Sequence, residues 1–159
     1  MEKSYKTGLG FGLTSGIITT LGLIVGLFAG THSKQVVLAG ILTIAIADAF
    51  SDSLGIHISE ESKTQSTTLD IWKATITTFI SKMLFALIFI IPLLLMPINS
   101  AVIVSVIIGM VILGIFSYYI GVSRNSSPIK TIIEHLLIGL VVIFLTNYLG
   151  NVISETIIK

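Results

Sequence analysis

The chain has 159 residues, of which 53% are hydrophobic and only 11% charged, with a formal net charge of +1. A soluble domain carries about 25% charged residues, so this composition excludes a water-soluble enzyme, a nucleic-acid binder and a disordered chain. There are no cysteines, which also excludes disulfides, thiolate catalysis and cysteine-bound metal clusters.

A membrane-spanning helix needs about 20 mainly apolar residues, and five such stretches are present, over 7–30, 36–58, 72–96, 101–120 and 129–151. The sequence therefore predicts an all-α polytopic membrane protein with five transmembrane helices in a single domain, 1–159. No period-two alternation suggests a membrane β-barrel. The first stretch exceeds 20 residues and lacks a small-residue cleavage site, so it is read as a retained helix rather than a signal peptide. That helix carries a glycine ladder, Gly12, Gly16, Gly22, Gly26 and Gly30. Small faces of this kind let helices approach closely in lipid, and the ladder is expected to form a close helix contact, within a protomer or across a dimer. Thr14, Ser15, Thr19 and Thr20 add hydroxyls, which either line a path or bond back to their own helix.

The second stretch contains Asp48 and Asp52 one turn apart. Asp48 lies twelve residues into its span, about 18 Å along the helix. With Ser51, Gly55 and Ser59 they make a stripe of oxygen ligands reaching the membrane edge. Two carboxylates so close repel each other unless a cation or proton sits between them. In the third stretch Lys82 is ten residues deep, about 15 Å, at the depth expected for Asp48. It is either half of a structural ion pair or a counter-charge that releases the aspartates when another cation competes. Ionisable groups this deep cost at least ~2.5–3.5 kcal/mol each and mark sites.

The connections follow in order. Basic residues near the helix ends number six on one side (Lys3, Lys6, Lys63, Lys73, Arg124, Lys130) against Lys34 and Lys159 on the other, which places the N-terminus in the cytoplasm. On that side His57, Glu60 and Glu61 form a candidate cytoplasmic entry for cations. Glu134, in the first turns of the last span, either binds metal or stabilises its helix N-terminus; His135 lies beside it. Asn125-Ser126-Ser127 fits a glycosylation sequon but falls on the cytoplasmic side. No Ser/His/Asp set, His-Glu-x-x-His motif or phosphate loop is present, so the chain is not read as an enzyme.

Taken in order, these stretches resemble the vacuolar iron transporter family, the iron and manganese exporters of plants, yeast and many prokaryotes. The resemblance runs through the segment from Gly12 to Thr20 with Gly26, then Ala39-Gly40 and Ala47-Asp48-Ala49-Phe50-Ser51. It continues through the segment from Thr77 to Ser81 with Pro92, and closes with Ser127-Pro128, the segment from Glu134 to Leu140, and Gly150. It implies a five-helix homodimer, associating here through the glycine-rich first helix, with a path lined by the first two helices. It also implies export of Fe²⁺ or Mn²⁺ from the cytosol in exchange for protons, with no resident cofactor. The location expected is the cell membrane of a prokaryote, or a vacuolar or other organellar membrane of a eukaryote. The metal ligands then expected are Asp48, Asp52, Ser15, Thr19, Ser51 and Glu134, with Lys82 as counter-charge. Three positions depart from the family pattern. Ser15 stands where members usually have aspartate, Asp52 where they have methionine, and Lys82 where they have an apolar residue; the cytoplasmic metal-binding insert shrinks to 59–71. Losing the thioether makes the ligand set all oxygen, which suits Mn²⁺, Mg²⁺ or Ca²⁺ and weakens the case for iron. The rival reading is a non-transporting scaffold or subunit with the same fold and a structural Asp48–Lys82 pair.

Overall fold

The computed structural model describes residues 3–156 and is helical wherever it has regular structure. The elements are α1 (Lys3–Thr31), α2 (Lys34–Glu61), α3 (Thr68–Leu87), α4 (Ile90–Leu95), α5 (Ile98–Ser123) and α6 (Pro128–Thr156). Five stretches are long and apolar enough to cross a membrane, with α3 and α4 together forming the third. The physical reason is direct: without water every backbone N–H and C=O must pair internally, and a helix does this within one segment. Lys159, counted above on the outer side, lies outside the described residues.

The breaks between helices have local causes. α3 starts with a capping box, in which Thr67 accepts from the Asp70 N–H and Asp70 accepts from the Thr67 N–H, satisfying two donors that a helix start leaves open. The third span breaks at Ile88–Phe89 because Pro92 has no N–H to offer the Ile88 carbonyl and its ring crowds that carbonyl. α5 ends with Asn125 at φ 51°, while the Ser126 N–H reaches back to the Gly121 carbonyl at 3.0 Å. This is a Schellman-type close, and Pro128 then opens α6 at the position where a missing N–H costs nothing.

The chain divides into two compact units. The first contains residues 1–20 and 39–90. In it α1 lies against α3 with its glycines at the contact. A Cβ on Gly12 would sit 2.6 Å from the Thr78 carbonyl oxygen, and one on Gly16 would sit 2.9 Å from the Lys82 carbonyl oxygen. Ile17, Ile41, Ala45, Ala49 and Ala74 are fully buried around this contact. The second unit contains residues 21–38 and 91–159. There the remaining glycines of α1 meet α6. A Cβ on Gly26 or Gly30 would come within 3.4 Å of Thr146 or Gly150 respectively, and α5 packs on α6 with Gly139 beside Met110 and Leu113.

Of the two contacts expected for the glycine ladder of α1, the one within a protomer is present: its glycines meet α3 and α6 of the same chain. A small face admits one backbone at close range, and here that backbone comes from the same chain. The exposed small residues are on α2 instead. Ala39, Thr43, Ala47, Ser51, Gly55 and Ser59 follow one another every fourth residue and all are exposed. Beside them runs a ridge of exposed large residues with the same spacing: Leu42, Ile46, Phe50, Leu54 and Ile58.

Candidate transport site in the first unit

The four groups singled out deep in the membrane come together. Lys82 is 1% exposed, and its ammonium group forms salt bridges to both Asp48 and Asp52. It also donates to Ser15 Oγ at 2.7 Å, and Ser15 Oγ donates to Asp52 Oδ2 at 2.6 Å. An ammonium has three N–H donors, and here three acceptors surround it. The cation that the aspartate pair requires is therefore supplied by the chain itself.

Each element contributes for a traceable reason. The i, i+4 spacing places Asp48 and Asp52 on the same side of α2. Lys82 reaches them from α3, whose backbone comes close to α1 because Gly16 has no side chain. Ser15, the neighbour of that glycine, is thereby brought within hydrogen-bond reach of the ammonium. Burying a lone charge in lipid is prohibitive, whereas a paired and hydrogen-bonded cluster is tolerated. The carboxylates are less enclosed than the lysine, at 28% and 20% side-chain exposure. The cluster thus carries one positive and two negative charges, with its acidic members next to the exposed face of α2.

The other predicted ligands lie apart from this cluster or are engaged elsewhere. Thr19 donates its hydroxyl to the Ser15 carbonyl at 2.7 Å, the local back-bond. Ser51 is on the exposed stripe of α2. Glu134 belongs to the second unit, where its nearest basic partner is Lys130 at 3.9 Å, both side chains largely exposed. Among the described residues no group of three or more His, Asp or Glu side chains is arranged to hold a metal ion. Two carboxylates and a hydroxyl make an incomplete shell within one chain.

The expected entry trio of His57, Glu60 and Glu61 has three different sets of surroundings. His57 Nδ1 is 3.0 Å from Thr75 Oγ1, and its ring meets the edge of Trp72 at 5.0 Å. Because Thr75 already gives its proton to the Ile71 carbonyl, the contact requires His57 to donate. Glu60, 5% exposed, accepts from Lys63 Nζ at 2.5 Å and from Ser66 Oγ at 3.2 Å, fastening the short α2–α3 connection. Glu61 is exposed. One pairing escaped the sequence reading: Ser4 Oγ donates to Asp70 at 2.9 Å, and no spacing rule links residues on separate helices. Ser117, buried in α5, is likewise 2.8 Å from His135 Nδ1.

A sequence profile of the VIT family matches residues 52–151, from Asp52 in α2 to Asn151 in α6. The match leaves α1, with Ser15, and the part of α2 bearing Asp48 outside its range. A search of curated proteins returns no match.

Proposed function

The chain belongs to the vacuolar iron transporter (VIT) family of membrane metal-ion transporters, and on that premise we propose that it exports Fe²⁺ or Mn²⁺ from the cytosol in exchange for protons. The observation that carries this reading is the pair of carboxylates held inside a membrane span by a single buried ammonium. Neutralised by one lysine, two carboxylates retain a net negative charge, which attracts a divalent cation into a low-dielectric site. Asp48 and Asp52 bind the ion, Ser15 supplies a further oxygen, and Lys82 withdraws from the carboxylates while the ion passes; Ser51, on the exposed stripe of α2, is a ligand only where a second copy packs against that stripe. Thr19 stays with the backbone. Oxygen donors of this kind suit Mn²⁺ at least as well as Fe²⁺.

A homodimer completes the shell. The exposed ridge and small-residue groove of α2 share the i, i+4 spacing that lets helices interlock. Such a surface is self-complementary, as a two-fold contact requires. Pairing along it brings Asp48 and Asp52 of both copies to the same interface, which supplies four carboxylates where one chain has two.

A second reading is favoured by one specific feature: Lys82 is ion-paired to both aspartates and donates to Asp52 and Ser15, so the chain supplies a cation for the cluster without a metal. On this reading the protein keeps the family fold as a scaffold or subunit, and the triad is a structural brace. Flux separates the two. In proteoliposomes containing the full chain, Mn²⁺ movement under a proton gradient is expected to fall at least tenfold in both Asp48→Asn and Asp52→Asn. Unchanged flux in folded variants rules out the site, and absence of flux in the parent protein rules out transport.

A further inference from the structure

A cavity of about 450 Å³ lies in the second unit, between the end of α5 and the start of α6, far in sequence from the acidic triad. It is lined by Ile120, Arg124, Ser126, Ser127, Lys130, Thr131, Glu134 and His135. Two cations face it, against one carboxylate. Arg124 is the only arginine in the chain, and among the described residues it has no carboxylate partner. Lys130 is held only loosely, since Glu134 stands 3.9 Å away and both side chains are solvated.

The hydroxyls of the cavity do not all serve alike. Ser126 and Thr131 give their protons to the Gly121 and Ser127 carbonyls. Ser127 Oγ accepts from the Lys130 N–H at 3.5 Å, and its own proton has no acceptor among the described residues. The ring of His135 is fixed from behind. Ser117 donates to the Leu113 carbonyl at 2.6 Å, so His135 Nδ1 must donate to Ser117, which leaves Nε2 without a proton in the neutral ring. Free donors facing the cavity are therefore the Arg124 fork, the Lys130 ammonium and the Ser127 hydroxyl. That set fits the oxygens of a phosphate group, which an arginine fork binds with two parallel hydrogen bonds.

The surroundings select the source of the phosphate. Tyr118 and Tyr119 precede the cavity and are half-exposed or more, and Ile129 and Ile133 flank its lysine at 69% and 52% exposure. Aromatic residues at the end of a span mark the headgroup level, and exposed Ile133, one turn further into α6 than Ile129, offers a surface for acyl chains. The count of basic residues assigns this turn to the cytoplasmic leaflet, the leaflet rich in anionic lipid. We propose that the α5–α6 cavity binds the phosphate of an anionic phospholipid headgroup through Arg124, Lys130 and Ser127, and so anchors the second unit to that leaflet.

The test uses the full chain in detergent, with phosphatidylglycerol and phosphatidylcholine added in equal amounts and retained lipid counted by native mass spectrometry. A cation near the membrane surface contributes about fivefold in binding, so Arg124→Gln with Lys130→Gln is expected to reduce the preference for phosphatidylglycerol by about thirtyfold. The single Lys130→Gln change is expected to reduce it about fivefold, and Lys6→Gln, a cation outside the cavity, to leave it unchanged. An unaltered preference in the double variant, or an equal loss in Lys6→Gln, overturns the proposal. So does displacement of the lipid by millimolar inorganic phosphate, which assigns the cavity to a soluble anion. A thermal midpoint equal to the parent's shows that each variant is folded; if the double variant unfolds, the single variant decides.

Discussion

Replacing Lys82 by methionine removes the one cation inside the acidic cluster while keeping the length of the side chain. Two carboxylates then face each other in a span from which Lys82 was all but completely excluded from solvent. Breaking a buried pair by deleting one partner costs about 3–5 kcal/mol. The lower end applies here, because Asp48 and Asp52 are themselves 28% and 20% exposed and partly screened. About 3 kcal/mol corresponds to a loss of roughly 6–12 °C in thermal midpoint for a chain of this size. The assay is thermal unfolding of the purified protein in detergent, first with a chelator and then with excess Mn²⁺. With chelator, Lys82→Met is expected to be less stable than the parent. With Mn²⁺ the ion takes the vacated place, and the variant is expected to gain more than the parent does, since binding to the folded state adds stability. The triple change Lys82→Met, Asp48→Asn, Asp52→Asn removes all charge and is expected to recover stability with no response to metal. A Lys82→Met midpoint equal to the parent's in chelator refutes the pairing energetics. A normal loss with no recovery in Mn²⁺ leaves the brace and refutes the metal site.

Three further outcomes test how the site is positioned. Gly16→Val places a side chain where a Cβ already lies 2.9 Å from the Lys82 carbonyl; prising α1 from α3 is expected to cost about 1–3 kcal/mol and to reduce flux, measured by midpoint and proteoliposome uptake, whereas an unaffected protein contradicts the close contact. Gly55→Leu adds a side chain that meets nothing within 4 Å in its own chain, so the monomer is expected to keep its stability while the dimer fraction falls in cross-linking; a normal dimer yield removes α2 as the interface. Glu60→Gln weakens the hold on Lys63 and Ser66, and trypsin is expected to cut at Lys63 several-fold faster, with unchanged cleavage showing that the connection is held by other means.

What the sequence made legible was whatever depends on composition and on spacing along one helix. Five apolar stretches gave five spans, because lipid leaves the backbone no alternative. The depth of Lys82, counted in residues, put it level with Asp48, and the salt bridge followed from charge and depth alone. What remained hidden was azimuth, the direction in which a helix face points. Glycine spacing showed that α1 had a small face but not which neighbour filled it, and α3 and α6 filled it from the same chain. The surroundings of the expected entry trio were hidden for the same reason. Glu60 and Glu61 are adjacent and so point about 100° apart, while His57 is one turn before Glu60 and meets a different neighbour; one turned toward Thr75, one toward the α2–α3 connection and one toward the surface. The α5–α6 cavity needed a turn whose Schellman close brought Arg124 and Lys130 to one hollow, which residue types alone did not announce.

The cluster is coherent when charge is followed from one helix to the next. Asp48 and Asp52, the two acids of the cluster, lie on a single helix, α2. Held on one rigid element, they cannot move apart to relieve their repulsion, and a cation must always be near. Lys82 meets that need, and Ser15 is small enough to let the ammonium in and polar enough to accept from it. The serine is the weaker partner, which makes the ammonium easier to displace by an incoming divalent ion. An aspartate at that position would put three carboxylates around one ammonium, adding a further repulsive charge inside the span. Ser15→Asp is therefore expected to lower the thermal midpoint in chelator and to raise the gain in midpoint on adding Mn²⁺; an unchanged midpoint and metal response refute the charge argument.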